Sequence, residues 1–417
     1  MRRPLLVATA AMVGLLGLPA VAVANPDTET DAAVETTLDP ELLSRTLDAL
    51  VDAGAPSVLA EVRDGEAVWT EASGVRDPWL KVPTKPTDLV RVASITKPMV
   101  TTVVLQLVEN GQLSLSDTIQ DRLPGLLPYE EAITVEHLLN HTSGLPEYFL
   151  DIYPSLWNGD PADIEWGHWK YYSAEKLVAQ ATQHELYFAP GEQWSYTNTG
   201  YVVLGLLIED ITGNTLESEL TERVLGPAEM TRTQLPTWNP FIMGPHPRAQ
   251  LPTGYGDGSY FDTTEFNPSQ LWAAGHAVST PGDINKLFAA LSDGTLLSEE
   301  SVMNMRTLTP QSGNAYGLGL QAIPVGGCDD FPEGIAYGHT GGSFGATSFS
   351  FHSPDGDRQV TFTVMADFQF APTDEIATAM ANFTNAAMCD VDTTGATTFS
   401  AGPDIDTVML DQWGTRD

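Results

Sequence analysis

Ser94 and Lys97 are the residues of this chain best suited to chemistry, and they stand just before an apolar run, Met99 to Val108. That run has the length and spacing of a helix, so Ser94 is expected at its mouth, where free backbone amides favour developing negative charge. Lys97 falls on the same helical face and can reach the serine oxygen. A desolvated lysine beside a serine can make its hydroxyl nucleophilic. The alternative is an N-capping serine followed by a surface lysine.

Two further segments carry residues of the same chemistry. Tyr196-Thr-Asn198 follows a Pro-Gly turn, and His339-Thr-Gly341 precedes a predicted strand hairpin. With Ser94 and Lys97 they form Ser-x-x-Lys, Tyr-x-Asn and His-x-Gly in that order. This combination resembles the penicillin-recognising serine hydrolases: class C β-lactamases, secreted DD-carboxypeptidases and related esterases. The resemblance runs from about residue 40 to 389 and includes the phrases at 138–144, 275–280 and 316–319.

The resemblance implies a division of catalytic roles. Ser94 would attack an acyl carbon and form an acyl-enzyme, while Lys97 and Tyr196 would share the proton transfers. A tyrosine can act as a base only if nearby positive charge lowers its pKa; we expect Lys97 to supply that charge, and His339 to assist if it is protonated.

The same resemblance assigns substrate-binding residues. Asn198 would hold the substrate amide, and the backbone N–H groups of Ser94 and of a residue on the strand after Gly342 would bind the oxyanion. Small residues here let a substrate backbone pass close. The candidate substrate-binding residues are Asn198, Trp272, Gln321, His339, Thr340, Gly341 and Gly342.

Two of these positions depart from the pattern of secreted DD-carboxypeptidases. Those enzymes hold the substrate's terminal carboxylate with an arginine after Tyr-Gly-Leu-Gly-Leu and a threonine in the fourth position of His-Thr-Gly-Thr. Here the two positions are Gln321 and Gly342. Because arginine offers a charged, bidentate fork and glutamine one neutral amide, we expect only a weak preference for a free C-terminal carboxylate.

Ser343 is an alternative nucleophile, because Gly341-Gly-Ser-Phe-Gly345 matches the Gly-x-Ser-x-Gly elbow of α/β-hydrolases. That elbow needs a helix after the serine. Here residues 347–351 alternate like a strand, and His352 is the one histidine downstream. The required context is missing, which favours Ser94.

Strand-like segments near both ends of the chain, with helices between, predict one α/β domain with a mostly helical domain inserted into it. The resemblance implies a β-lactamase/transpeptidase-like fold, an antiparallel sheet flanked by helices.

Residues 142–170 are rich in aromatics and form either a packed loop or the rim of a cleft. We expect a signal peptide at 1–24, a disordered lead-in at 25–37, a sheet domain from 38–95 plus 300–389, a helical domain at 96–299 and a mobile tail at 390–417.

The N-terminus predicts export. A basic start, an apolar segment from Leu5 to Leu18 and small residues up to Ala24 form a signal peptide cleaved near Ala24. Among exported proteins, two cysteines are expected to form one disulfide, Cys328–Cys389, with two free thiols as the alternative. DD-carboxypeptidases of actinobacteria also have cysteines at matching positions. The formal charge of −36 argues against nucleic acid and anionic lipid partners, which need basic patches.

The sequence therefore predicts an exported serine hydrolase, DD-carboxypeptidase-like, acting on D-alanyl-D-alanine peptides of the cell wall. An esterase or a β-lactamase on the same scaffold is the alternative. A non-catalytic wall-peptide or penicillin-binding protein is less favoured, because a binder has no need of Lys97 or Tyr196. We expect a monomer that uses no metal and no cofactor. Small peptides or esters, peptidoglycan stem peptides and β-lactams are the expected partners, and after signal cleavage no membrane is expected.

Overall fold

The computed structural model describes residues 38–158, 160–252, 260–325, 328, 331, 334–366 and 374–394. The predicted signal peptide, the lead-in at 25–37 and the tail from residue 395 onward lie outside these ranges. Within them, no helix combines the length and the apolar character that a membrane span requires.

Helices make up much of the middle of the chain. Within the described ranges the α-helices are α1 Pro40–Asp52, α2 Thr96–Glu109, α3 Ile119–Arg122, α4 Val135–Leu139, α5 Phe149–Ile152, α6 Ala162–Gly167, α7 Ala174–Ala181, α8 Asn198–Thr212, α9 Leu216–Leu220, α10 Pro281–Ser292, α11 Glu299–Arg306 and α12 Asp374–Cys389. Short 3-10 turns span Ala93–Ile95, Pro154–Asn158, Pro268–Gln270, Trp272–Ala274 and Pro310–Ser312, and a π-helical turn spans Thr221–Leu225.

The strands come from both ends of the chain and meet in one sheet. They are β1 Ser57–Asp64, β2 Ala67–Asp77, β3 Val82–Pro83, β4 Val90–Arg91, β5 Gln250–Pro252, β6 Tyr260–Asp262, β7 Val278–Ser279, β8 Gln321–Pro324, β9 Ile335–Ser343, β10 Ala346–His352 and β11 Arg358–Val364. The large sheet has the order β3-β2-β1-β11-β10-β9-β8, with every neighbouring pair antiparallel. β4 pairs with β7, and β5 pairs with β6.

The period-2 pattern of β10 and β11 decides what each face of the sheet contacts. Phe349 and Phe362 pair across the strands and belong to a core cluster with α1 and α12, where Phe362 meets Phe383 at 5.0 Å between ring centroids. The other face carries hydroxyls. There Thr361 donates to Asn285 Oδ1 on α10 at 2.6 Å. The Ser348 and Ser350 hydroxyls on this face pair with those of Thr363 and Thr361 on the neighbouring strand.

The predicted fold class is confirmed: the chain has an antiparallel sheet covered by helices. The helix predicted at the apolar run Met99 to Val108 is observed as α2, and residues 347–351, which alternate like a strand, lie in β10. The sequence pattern did not predict β8, α11 or the short two-stranded sheets, because these elements are too short to show a period. The division into a sheet domain and an inserted helical domain stays a prediction.

Cys328 and Cys389 form the expected disulfide, with their Cα atoms 4.9 Å apart. The bond joins the segment before β9 to the last residue of α12. Both cysteines pack with the core cluster between the sheet and α12.

We predict that replacing both cysteines by serine lowers the free energy of unfolding by about 4 kcal/mol, since the link closes a loop of 61 residues in the unfolded chain. Urea unfolding of the wild-type and Cys328→Ser/Cys389→Ser proteins measures the difference. Two thiols titrated in the unreduced, denatured wild-type protein would contradict the pairing.

Candidate active site

Ser94 lies in a turn that the backbone holds in an uncommon conformation. β4 leads into the 3-10 turn Ala93–Ile95, and Ala93 has a φ of 45°, in the left-handed region. The Thr96 hydroxyl fixes this turn, because it donates to Ala93 O at 2.7 Å and accepts the Ala277 N–H at 3.1 Å. The half-buried Ser94 is thereby presented at the start of α2, as the sequence predicted.

Lys97 is fully buried in the first turn of α2, and its Nζ contacts three oxygens. These are Ser94 Oγ at 2.9 Å, Asn198 Oδ1 at 2.8 Å and Ala274 O at 2.9 Å. The amide and the carbonyl oxygen can only accept hydrogen bonds. A neutral Lys97 amine must therefore donate its two hydrogens to them, which directs its lone pair at the Ser94 hydroxyl.

Burial also sets the protonation state of Lys97. It lowers the pKa of Lys97 to about 7, because desolvation penalises the charged form, while the negative charge of Glu147 partly opposes the shift. A substantial fraction of the protein thus carries the neutral amine near neutral pH. This amine is a base beside the serine.

Tyr196 is a further neighbour of Ser94, and its pKa differs from our expectation. Lys97 Nζ lies 4.7 Å from its ring centroid, and its hydroxyl interacts with the Ser94 side chain. We expected the charge of Lys97 to lower the pKa of Tyr196. Instead, burial raises it, and the bond to Ser94 only partly offsets that effect. Tyr196 therefore stays a phenol, suited to relaying a proton and unsuited to acting as the initial base.

His339 on β9 is also neutral. Burial, together with the charge of Lys97, lowers the pKa of His339 to about 3. The ring nitrogen Nδ1 lies 2.5 Å from Thr340 O and donates to it, so Nε2 accepts the Tyr316 hydroxyl at 2.9 Å. His339 is therefore neutral rather than protonated. Its side chain connects β9 to the buried Tyr316 by a hydrogen bond.

β9 runs directly beside the nucleophile turn. A Cβ atom at Gly341 would collide with Val92 O and lie 3.3 Å from Ser94 N, so only glycine allows this approach. Gly342 follows on the same strand, opposite Thr347 of β10. The strand edge and the Ser94 amide are therefore close enough to frame a substrate carbonyl between them.

Gln321 braces β9 from the neighbouring strand. Its Oε1 accepts the Thr340 N–H at 2.8 Å, so only its amide NH₂ remains to meet a substrate. The buried Thr340 hydroxyl has no hydrogen-bond partner within the described ranges. Neither group supplies a positive charge.

Trp272 is placed differently from the other predicted residues. Its indole N–H donates to Glu217 of α9 at 3.0 Å, and its ring packs against Gly205 in the middle of α8. These contacts belong to helix packing and give no support to a role in substrate binding. From the same turn it is the Ala274 carbonyl that reaches Lys97.

The alternative nucleophile lies in a β-hairpin. Ser343 ends β9 and donates to Ala346 O at 3.4 Å, and Gly345 makes the turn with a φ of 87°. A strand follows it where the hydrolase elbow needs a helix.

Sequence reasoning missed two buried neighbours of the predicted residues. The His141 ring lies 4.2 Å from the Tyr196 ring, and its Nδ1 accepts the Thr197 N–H at 3.3 Å. Glu147 contacts the backbone of Asn198. Both stand within or just after the phrase at 138–144, so the resemblance marked the segment without marking these residues.

Within the described ranges, no His, Cys, Asp and Glu side chains are grouped closely enough to hold a metal ion.

Comparison of this sequence with protein-family models and with known proteins identifies one family. The family model described as Beta-lactamase matches residues 43–383. The putative penicillin-binding protein PbpX of Bacillus subtilis is 28% identical over 312 residues, which cover 73% of each chain.

Solved structures of the same fold include two hydrolases of D-configured substrates. A D-stereospecific amidohydrolase from a Streptomyces species is 30% identical with a TM-score of 0.73, covering 85% of this chain and 99% of its own. The D-amino acid amidase of Ochrobactrum anthropi is 27% identical with a TM-score of 0.68, covering 82% of this chain and 98% of its own.

We predict that kcat/KM for an uncharged ester falls about tenfold per pH unit below pH 7 and levels off above it, because a protonated Lys97 cannot accept the Ser94 proton. Rates measured from pH 5 to 9 give the profile. The exposed Lys176→Ala variant is the control and should keep it, whereas Lys97→Arg, protonated throughout, should be inactive. A wild-type profile that is flat between pH 6 and 8 would contradict the assignment.

Proposed function

Because the chain belongs to the beta-lactamase family of serine hydrolases, we propose that it is an amidohydrolase for D-configured aminoacyl amides and esters. The observation that carries the proposal is the Lys97 amine at 2.9 Å from Ser94 Oγ, with its other hydrogen bonds directing the lone pair at the serine. The similarity to two D-specific hydrolases supports the substrate class.

In acylation, Ser94 Oγ attacks the substrate carbonyl carbon while its proton passes to Lys97 Nζ. The carbonyl oxygen becomes an oxyanion, which the Ser94 N–H and the edge of β9 are placed to bind. When the C–N bond breaks, the leaving nitrogen takes the Tyr196 hydroxyl proton. Tyr196 recovers a proton from Lys97, so the acyl-enzyme forms with Lys97 neutral again.

Deacylation uses the same groups in reverse. Water attacks the Ser94 ester, gives its proton to the base, and the C–Oγ bond breaks as Ser94 regains a proton. Since the pKa of Lys97 is lowered to about 7, the amine can accept and return a proton in each half-reaction.

We expect the substrate end beyond the scissile bond to meet the neutral amide of Gln321. With Gln321 Oε1 already engaged by the Thr340 N–H, the remaining amide NH₂ offers a neutral hydrogen bond. A charge-assisted bond is stronger than a neutral one by roughly twofold. The site is therefore suited to amides and esters that lack a terminal carboxylate.

A strict D-alanyl-D-alanine carboxypeptidase is the second candidate, favoured by the similarity to a putative penicillin-binding protein. In either case we propose that the protein is exported. The basic and apolar N-terminal pattern and the Cys328–Cys389 disulfide support this, because such bonds persist in oxidising compartments.

We predict that Ser94→Ala abolishes hydrolysis and labelling by a fluorescent fluorophosphonate, because the variant has no oxygen to form the acyl bond. Ser343→Ala is the matched control and should keep both. Mass mapping of the tagged peptide locates the label. A tag on Ser343, or activity retained by Ser94→Ala, would refute the proposed nucleophile.

We predict that an acyl-D-alanyl thioester with an amide-capped end reacts within about tenfold of its free-acid counterpart, since one neutral amide gives little charge discrimination. The two values of kcat/KM are compared at one pH. A hundredfold preference for the free acid would establish the carboxypeptidase candidate in place of the amidohydrolase.

A further inference from the structure

His141 is a fully buried side chain that the proposed proton transfers leave unused. It stands shortly after α4, and its backbone has a φ of 63°, in the left-handed region. Residues other than glycine seldom adopt this conformation, and those that do are often found at functional sites. The carbonyl oxygen of His141 accepts the Ser195 N–H at 3.0 Å. The backbone of His141 is thereby bonded to the segment that carries Tyr196.

The side chain of His141 binds the same segment on the other side of Tyr196. Its Nδ1 accepts the Thr197 N–H at 3.3 Å, so one residue holds both amides that flank the tyrosine. The His141 ring also lies against the Tyr196 ring, with 4.2 Å between the centroids and 34° between the planes. The rings of Tyr316 and His339 lie farther from Tyr196, at 6.2 and 6.3 Å. His141 therefore contacts both the backbone and the ring of the tyrosine segment.

The hydrogen bond from Thr197 also fixes the protonation of the His141 ring. Because Nδ1 accepts, the single proton of the neutral imidazole is on Nε2. That Nε2 is buried and has no hydrogen-bond partner in the described part of the chain. A second proton on the ring would place an N–H against the Thr197 N–H, and burial lowers the pKa of His141 well below its usual value. His141 is therefore a neutral side chain that holds its neighbours without exchanging protons.

The position of the Tyr196 hydroxyl matters for the proposed reaction. The Tyr196 ring lies beside the base, with its centroid 4.7 Å from Lys97 Nζ. A proton passes only between atoms that are within hydrogen-bond reach of each other. The hydroxyl is at the far end of the ring, so a small rotation of the side chain displaces it, and a displacement of about 1 Å can cost roughly a hundredfold in rate.

We propose that His141 is a positioning residue, which holds Tyr196 by its two flanking amides and by its ring so that the phenol hydroxyl can protonate the leaving nitrogen. This inference rests on the proposed function, in which Tyr196 supplies that proton. His141 acts only through Tyr196. It therefore supports the hydrolysis of amides, whose leaving group needs the proton, more than that of activated esters, whose leaving group does not.

The test compares one acyl-D-alanyl group on two leaving groups, an alkylamine and p-nitrophenol. The amine must be protonated as the C–N bond breaks, whereas p-nitrophenolate leaves as an anion. The comparison uses kcat/KM, which reports the steps up to acylation and is unaffected by deacylation.

His141→Asn is the main variant. Asparagine tolerates a positive φ, and its side-chain oxygen is attached at the same point as Nδ1, so the bond to Thr197 can be kept while the ring that packs on Tyr196 is lost. We expect kcat/KM to fall at least about tenfold for the amide and less than about threefold for the ester. His184→Asn removes an exposed histidine between α7 and α8 and should change neither value.

Tyr196→Phe links the effect to the phenol. This variant should lose about a hundredfold for the amide and far less for the ester, because it keeps the ring and lacks the proton. Adding His141→Asn to it should change the amide rate by less than about threefold, since no hydroxyl is left to position.

Three results would overturn the inference: an unchanged amide rate in His141→Asn, equal losses for amide and ester, or losses that multiply in the double variant. Equal losses would mean that His141 only stabilises the fold. His141→Gln, which leaves a smaller cavity, decides the question if His141→Asn does not fold, and the same selective loss of amide hydrolysis is expected of it.

Failure of the proposed function gives a different result. If Ser94→Ala keeps its activity, or Tyr196→Phe hydrolyses the amide as the wild type does, the proposed reaction is wrong and the inference fails with it. If both behave as expected and His141→Asn behaves like His184→Asn, only the role of His141 is wrong.

Discussion

Burial of the Lys97 amine away from water is the physical constraint on which the arrangement of the site depends. Lys97 has no access to solvent, so each of its hydrogen bonds must come from the protein. Its three oxygen partners belong to the nucleophile turn, to the start of α8 and to the turn at Trp272–Ala274. Three segments that are distant in sequence are thereby brought to one atom. Each has local support of its own, such as the Thr96 hydroxyl under the Ser94 turn.

The same desolvation acts in opposite directions on different side chains. It favours the neutral form of every group, so the pKa values of lysine and histidine fall while those of tyrosine rise. In this site Lys97 becomes a base near neutrality, whereas Tyr196 keeps its proton and His339 loses its own. One physical cause therefore separates the proposed base, Lys97, from the proposed proton relay, Tyr196. The buried tyrosines behind the site then serve to hold β9 in place through the bond from Tyr316 to His339.

Much of this arrangement was predictable from the sequence. The long periodic helices, the terminal hairpins and the motifs around Ser94, Tyr196 and His339 carry local signals, and the structure places these segments together. The protonation states were not predictable, because they depend on burial. Glu147 is a single acidic residue in a segment without periodicity, so its contact with the Asn198 backbone was not predictable either. The packing of the Trp272 indole on α8 was also not visible in the sequence, and its role in substrate binding stays a prediction.

Burial of Lys97 also has a consequence for folding. Its pKa is about 7 in the folded protein and near 10.4 in an unfolded chain, so between these values the unfolded state binds more protons. Folding stability must therefore decline as the pH falls from about 10 to 7, and the full penalty remains at lower pH. An uncharged residue of similar shape at this position would remove this penalty, together with the amine that we propose as the base. The requirement for a neutral amine thus works against thermodynamic stability, and the packing elsewhere in the fold has to offset it.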